Sequence, residues 1–131
     1  MEREGRARII KNMNELYDLE KELTEAKNKL GEIADKILQS AKDEVNYRSD
    51  YEEKKNKFLL LCYAEENDRN FKRTEQHRKS MYRDKFADER RAWLFAKADY
   101  ESNRELYKGL LSKIEALRTL VSLEKSKMNL Q

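Results

Sequence analysis

Apolar residues recur along the chain in two regular stripes with the spacing of amphipathic α-helices. Both stripes repeat every seven residues, one in the first third of the chain and one towards its C-terminal end. A seven-residue repeat keeps one face of a helix against a partner helix, as in coiled coils. The pattern therefore predicts two long helices, each with one buried seam. The seam residues are Ile9, Leu16, Leu23, Leu30 and Ile37, with Met13, Leu19, Ala26, Ile33 and Ala34 between them, and Trp93, Tyr100, Tyr107, Ile114, Val121 and Met128, with Ala96, Leu110 and Leu117.

The relation between the two helices follows from the seams, because an antiparallel hairpin pairs residues that are equidistant from its turn. The seams centre on Leu23 and Tyr107, which places the turn near residue 65, in the polar segment EENDRN. Asn and Asp are typical of turns and of helix caps. We therefore predict a single helical domain over residues 1–131, with a helix over about 7–64, a turn over about 65–70 and a helix over about 70–128.

A three-helix, coiled-coil-like bundle is the alternative arrangement. In the segment RSD at 48–50, Ser49 with Glu52 and Asp50 with Glu53 have the spacing of capping boxes, which mark helix starts. A hairpin of two helices buries little, and the run FLLLCYA at 58–64 extends beyond a narrow seam. The prediction is therefore an all-α protein that self-associates into a homo-oligomer.

Composition also favours long helices. Charged residues make up 42% of the chain, Pro is absent and Gly occurs three times. This composition disfavours turn-rich sheets, and the regular apolar spacing disfavours disorder. The lone Cys62 and the charged start MEREGRARII favour a reducing, cytoplasmic location. The densest apolar run is too short to span a bilayer, so no membrane association is expected.

Catalytic and metal-binding constellations are not recognisable in the sequence. His77, the only histidine, has Ser80 and Asp84 nearby, but three side chains along one helix cannot converge as a nucleophile, a base and an orienting acid. Glu75 and His77 lie on different faces of a helix, unlike the Glu-x-x-His pairs of metal sites in helical bundles. A glycine-rich phosphate loop is also lacking. We therefore expect a protein that is not an enzyme and that uses no cofactor or metal.

Positive charge is concentrated in the middle of the chain. Residues 69–85 carry seven Lys or Arg and two acids, whereas residues 12–68 carry nine Lys or Arg and fifteen acids. On a helix, one stripe carries cations and the adjoining stripe carries mainly aromatic rings. The first consists of Lys72, Lys79, Arg83 and Arg90, and the second of Phe71, Arg78, Tyr82 and Phe86. Proteins bind single-stranded nucleic acid with such surfaces, because cations contact phosphates and rings stack on bases. The candidate nucleic-acid-binding residues are Arg69, Phe71, Lys72, Arg73, Arg78, Lys79, Tyr82, Arg83 and Lys85.

The order of segments along the chain also resembles a known group of proteins. Over residues 51–128 the segment YEEKKNKFLLLCYAEE precedes the basic middle, and KADYESNRELYKGLLSKIEALRTLVSLEKSKM follows it. This layout resembles small all-helical phage proteins encoded with recombination genes, including recombination mediators of the UvsY type. The resemblance rests on the overall pattern, so it transfers no individual residues. It implies an oligomeric helical protein in the host cytoplasm that binds single-stranded DNA and helps to load a recombinase or another DNA-processing protein.

Two other interpretations fit the same residues. Aromatic residues at helical spacing often belong to the core, and a charged run is often only the solvated face of a helix. The protein would then be a purely structural coiled coil. Alternatively, the basic segment docks on an acidic protein, as in an adaptor or a phage-encoded inhibitor of a host nucleic-acid system. These three classes of function stay open on the sequence alone.

Overall fold

The computed structural model describes residues 2–130, and nearly all of them are helical. Helix α1 spans Glu2–Asp68, α2 spans Glu75–Lys85 and α3 spans Ala87–Asn129. No β-strand occurs between residues 2 and 130, and the predicted all-α class is confirmed. Helix α1 exceeds the predicted range 7–64 at both ends and continues through 48–50, so the alternative break there does not occur. The link to α2 lies at 69–74 instead of 65–70.

Helix α1 has no Pro in its 67 residues, and ion pairs one helical turn apart line its exposed surface. Lys57 and Glu53 approach to 3.0 Å, and Lys55 and Glu52 to 3.1 Å. Such pairs each contribute only a few tenths of a kcal/mol, on the order of 0.2–0.5. Most of the stability of a long helix must therefore come from packing of its apolar face.

Contacts within the chain divide it into two compact units. We call them the terminal unit, residues 1–36 and 103–131, and the central unit, residues 37–102. In the terminal unit, Ala26 of α1 forms a buried cluster with Ile114 and Leu117 of α3. The half-buried residues that pack against this cluster are Leu19, Leu23 and Leu30. All six belong to the predicted seams, which the burial pattern confirms over this part of the unit.

The register of the terminal unit differs from the prediction. Glu20 pairs with Lys125 at 3.7 Å, whereas a turn centred on residue 65 would place Leu110 opposite Glu20. Because Lys125 lies close to the end of α3, little of α3 remains to cover the first turns of α1. Ile9 and Met13 are accordingly 43% and 53% exposed, and the predicted seam is wrong at these two positions.

In the central unit, aromatic residues of α1 meet those that follow the link. Tyr51 stacks on Trp93 with ring centres 5.8 Å apart, and Phe58 meets Phe86 edge to face at 6.0 Å. The indole N–H of Trp93 donates to a carboxylate oxygen of Glu44 at 3.1 Å. Later residues of α1 thus contact earlier residues after the link, so the segments of this unit run antiparallel. A turn centred on residue 65 would instead have paired Glu44 with Phe86.

The link between α1 and α2 consists of a C-terminal cap followed by an N-terminal cap. Asn70 has a φ of 54°, and the amide N–H of Phe71 donates to the carbonyl of Glu66 at 3.0 Å. These are the features of a Schellman motif, in which Asn tolerates the left-handed conformation better than most residues. The hydroxyl of Thr74 then accepts the amide N–H of His77 at 3.1 Å and caps α2. The caps explain why the chain reverses after Asp68 and not at residue 65.

Helices α2 and α3 meet at Phe86, which has φ −111° and ψ 33°. The amide N–H of Phe86 donates to the carbonyl of Tyr82 at 2.9 Å, and that of Arg90 donates to the carbonyl of Phe86 at 3.0 Å. Hydrogen bonds of helical spacing thus continue across the junction. The junction therefore does not interrupt the backbone hydrogen bonding between α2 and α3.

Candidate nucleic-acid interface around the link

Arg78 is a candidate phosphate ligand that the structure places in the interior. Its side chain is 6% exposed, and its Nε and Nη2 donate to the two carboxylate oxygens of Glu66 at 3.1 and 2.9 Å. Nη2 also donates to the carbonyl of Arg73 at 2.8 Å. A bidentate pair of this kind is strong and fixes both side chains. Arg78 therefore joins α2 to the end of α1 and does not lie on an open surface.

Arg73 has a similar role in the link. Its amide N–H donates to Glu66 at 2.8 Å, and its guanidinium donates to Glu65 at 3.0 Å. The side chain is 14% exposed. The expectation that Arg73 and Arg78 belong to an open cationic surface does not fit these contacts. The reason is that the chain reversal brings both arginines against the acids that end α1.

The carboxyl of Glu66 is held in its charged form by these arginines. Hydrogen bonds from Arg78 lower the pKa of Glu66 from 4.5 to about 2, although burial acts in the opposite direction. The same hydrogen bonds raise the pKa of the Arg78 guanidinium. Both directions agree with an ion pair that stays charged at neutral pH.

Most other cations of the region are exposed, whereas Lys79 and Arg90 are half-buried. Arg69 is 74% exposed in its side chain and lies 3.7 Å from Glu65. Among residues 2–130, no carboxylate oxygen lies within ion-pair distance of the following cations: Lys72, Lys79, Arg83, Lys85 and Arg90. Four of them are sequence-predicted candidates, and Arg90 continues the same stripe into α3. The structure thus separates cations used for folding from cations that remain unneutralised.

One of these unpaired cations, Lys85, lies beside aromatic rings. The ammonium of Lys85 is 5.2 Å from the ring centre of Phe58. The same ammonium is 5.8 Å from the ring centre of Phe86, at the junction of α2 and α3.

The two aromatic candidates differ in exposure. Phe71 is 41% exposed, and the guanidinium carbon of Arg73 lies 4.7 Å from its ring centre. Tyr82 is half-buried, with the ammonium of Lys55 5.7 Å from its ring centre. Because Arg78, one turn before Tyr82, is buried, this stripe of α2 faces α1. Tyr82 thus packs between α2 and α1, as expected if the aromatic residues belong to the core. The ring of Phe71, in contrast, is accessible.

An open cleft of about 560 Å³ borders the link, and we call it the link cleft. Its lining residues are Tyr63, Glu66, Asn67, Asn70, Phe71, Lys72 and Arg78. Four of them, Tyr63, Glu66, Asn67 and Asn70, were not among the sequence candidates. In the sequence, Tyr63 belongs to the apolar run at 58–64 and Glu66 to the predicted turn at 65–70. One sequence feature could have indicated the role of Glu66: two adjacent acids, Glu65 and Glu66, precede Arg73 and Arg78, which lie just beyond the predicted turn.

These features define an all-α protein with unpaired cations on α2 and an open, partly aromatic cleft at its link. No protein-family model, curated protein sequence or solved structure matches the chain. Within residues 2–130, no cluster of His, Cys, Asp and Glu side chains is arranged to hold a metal ion. No helix in the described part of the chain is long and apolar enough to cross a membrane.

Proposed function

We propose that this protein is a non-enzymatic accessory that binds single-stranded nucleic acid through the cations of the link, α2 and the start of α3. One observation carries the proposal: Lys72, Lys79, Arg83, Lys85 and Arg90 lack a carboxylate partner in the described chain. Unneutralised cations attract polyanions, and each phosphate contact releases a condensed counterion. The acids that end α1, Glu65 and Glu66, are engaged by Arg73 and Arg78. Glu75 and Asp84 of α2 lie beyond ion-pair distance of these five cations.

Accessible aromatic rings beside these cations favour a single strand over a duplex. Single strands present base faces that can stack on side chains, whereas the bases of a duplex are already stacked on each other. Phe71 is exposed next to the unpaired Lys72. A surface that combines cations and rings binds the strand with little dependence on sequence.

Self-association is part of the same proposal. In the central unit, Leu60, Leu61 and Phe95 are each 69% exposed. Large apolar side chains gain free energy when a second copy covers them. We propose that these residues contribute to a homo-oligomer, which would also bring several cationic surfaces onto one strand.

The resemblance to phage recombination mediators extends the proposal to a biological role. An oligomer that holds single-stranded DNA can present that strand to a recombinase or another DNA-processing protein in the cytoplasm. The same resemblance supports recombination or replication as the setting.

Binding can be tested with a triple variant, Lys72→Gln, Lys79→Gln and Arg83→Gln. The matched control is Lys21→Gln, Lys27→Gln and Lys29→Gln, which removes equal charge from exposed positions of α1. Fluorescence anisotropy of a labelled oligonucleotide over a series of salt concentrations would give both affinity and salt dependence. Because each phosphate contact contributes about 0.7 to the log–log slope for single strands, losing three contacts should reduce the slope by about 2.

The expected result is weak, flattened binding for the first variant and near-parental binding for the control, with equal helicity by circular dichroism. An equal loss of affinity in both variants would show that binding depends only on the net charge of the protein, which would contradict the proposed surface. If the parent protein binds no oligonucleotide even at low salt, the proposed function is wrong.

Self-association can be tested by sedimentation equilibrium at tens of micromolar protein. The parent should be larger than a monomer, and a double variant, Leu60→Gln and Leu61→Gln, should shift the distribution towards monomer because two exposed apolar side chains become polar. Lys57→Gln, on the same helix, should leave it unchanged. A monomeric parent of full helicity would refute self-association.

A further inference from the structure

Two accessible aromatic rings border the link cleft, and each has an arginine over its face. Tyr63 is 50% exposed, with the guanidinium carbon of Arg78 4.7 Å from its ring centre. Phe71 is 41% exposed, with the guanidinium carbon of Arg73 at the same distance. A guanidinium near one face of a ring leaves the exposed part of that ring available to a further planar group. The cleft therefore combines two cation-supported rings.

The arginines that support the rings are themselves fixed. Glu66 receives Arg78 through two hydrogen bonds and the amide N–H of Arg73 through a third, while Glu65 holds the guanidinium of Arg73. Side chains that are ordered before binding lose little conformational entropy when a ligand arrives. These ion pairs thus fix the guanidinium groups that lie over the rings of Tyr63 and Phe71.

The remaining lining of the cleft is polar and positively charged. Asn67 and Asn70 are exposed and supply amide groups that can donate and accept hydrogen bonds. Lys72 lines the same cleft without a carboxylate partner in the described chain. A cleft of about 560 Å³ falls within the range of ligand sites in proteins. The flat rings can stack on a base, and the amide groups can form hydrogen bonds with its polar edge. The free ammonium can contact the adjoining phosphate.

We propose that the link cleft holds unpaired bases of a single-stranded nucleic acid, with Tyr63 and Phe71 stacking on the bases and Lys72 contacting the adjoining phosphate. This inference rests on the proposed function, which concerns the cationic surface, and adds a site for the bases themselves. Asn67 and Asn70 contact the base edges. Tyr82 is excluded from the stacking set because its stripe of α2 faces α1.

An oligonucleotide without bases separates the two claims. Full-length protein would be titrated with labelled oligothymidylate and with an abasic oligonucleotide of the same length, at one low salt concentration. If bases stack in the cleft, the parent should prefer oligothymidylate. Removing one stacking ring should reduce affinity for oligothymidylate by about 5- to 150-fold. The affinity for the abasic strand should change by less than about twofold.

The variants are Tyr63→Leu and Phe71→Leu, which keep apolar volume but remove the aromatic face. Tyr47→Leu is the matched control, because Tyr47 is 47% exposed on α1 of the same unit but does not line the link cleft. Circular dichroism checks that all three variants keep parental helicity. The control should keep the full preference for oligothymidylate, and each cleft variant should lose most of it.

Each other outcome overturns a defined claim. Equal parental affinity for both strands would refute the base site and leave the cationic surface standing. If both cleft variants kept the preference for oligothymidylate, the stacking rings would lie elsewhere. The base site would then be refuted, and the proposed cationic surface would stand. Absence of parental binding to either strand would refute the proposed function, and the base site with it.

Discussion

Replacement of Ile114 by Ala tests whether the seam between α1 and α3 is the core of the terminal unit. Ile114 is 3% exposed and lies in the cluster with Ala26 and Leu117. The substitution removes all of the side chain except its β-carbon. It introduces no polar group, so the loss reports apolar packing alone.

The expected magnitude follows from the burial of this side chain. Three buried methyl or methylene groups at about 0.8 kcal/mol each give about 2.4 kcal/mol of lost transfer free energy. The cavity left behind adds to this loss, and large-to-small changes of this kind cost about 2–5 kcal/mol in total. Alanine recovers roughly 0.4 kcal/mol through its higher helix propensity. The net expectation for Ile114→Ala is a loss of about 2–4 kcal/mol in the free energy of unfolding.

Urea unfolding followed by circular dichroism measures this loss. With a urea dependence of about 2 kcal/mol per molar, a loss of about 3 kcal/mol lowers the midpoint by about 1.5 M. Leu111→Ala is the matched control, because it also removes a large aliphatic side chain from α3 but at a position that is 40% exposed. It should cost less than about 1 kcal/mol. Both variants should be measured at two protein concentrations, because the stability of an oligomer depends on concentration.

Two results would refute this reasoning. A loss below about 0.5 kcal/mol at Ile114 would mean that the seam is not a packed core. A concentration-independent loss at Leu111 equal to that at Ile114 would mean that the burial pattern assigns the wrong face of α3 to the interior.

Four further predictions concern single positions. Gly109→Ala should raise the free energy of unfolding by about 0.5–1 kcal/mol, since an added β-carbon meets no atom within 4 Å and Ala favours the helix; an unchanged urea midpoint would contradict this. Asn70→Gly should preserve thermal stability, whereas Asn70→Val should lose about 1–2 kcal/mol because Val resists the left-handed conformation; equal melting temperatures would speak against this cap. The pKa of Glu66 is depressed to about 2 from 4.5, so its stabilisation is present above about pH 4.5 and lost as pH falls towards 2. A plot of the free energy of unfolding against pH should be flatter between pH 2 and 5 for Glu66→Gln than for the parent. Equal slopes for the two proteins would contradict the ion pair. Cys62 is 4% exposed, so a thiol reagent should modify it slowly in native protein and rapidly in urea, and rapid native labelling would contradict its burial.

Most of the secondary structure could be predicted because its causes are local. The absence of Pro and the seven-residue repeat are sufficient for long amphipathic helices, and most seam residues are at least half-buried in their units. The exceptions, Ile9 and Met13, are exposed because burial requires a partner segment, and the pattern of one helix does not report where its partner ends. The turn prediction missed by a few residues for a related reason: EEND contains turn-forming residues, yet Glu65 and Glu66 remain helical while binding arginines of the link and of α2.

The candidate site shows the same division between local pattern and tertiary structure. The sequence by itself determined that residues 69–85 are rich in cations and rings, since this depends only on composition and spacing. It did not determine which cations are available, because Arg78 and Lys79 are adjacent in the chain and both carry a positive charge. Only the tertiary structure buried Arg78 against Glu66 and left Lys79 without a carboxylate partner in the described chain. The physical reason is that an ion pair depends on the distance between two side chains, and chain reversal sets that distance for residues twelve positions apart.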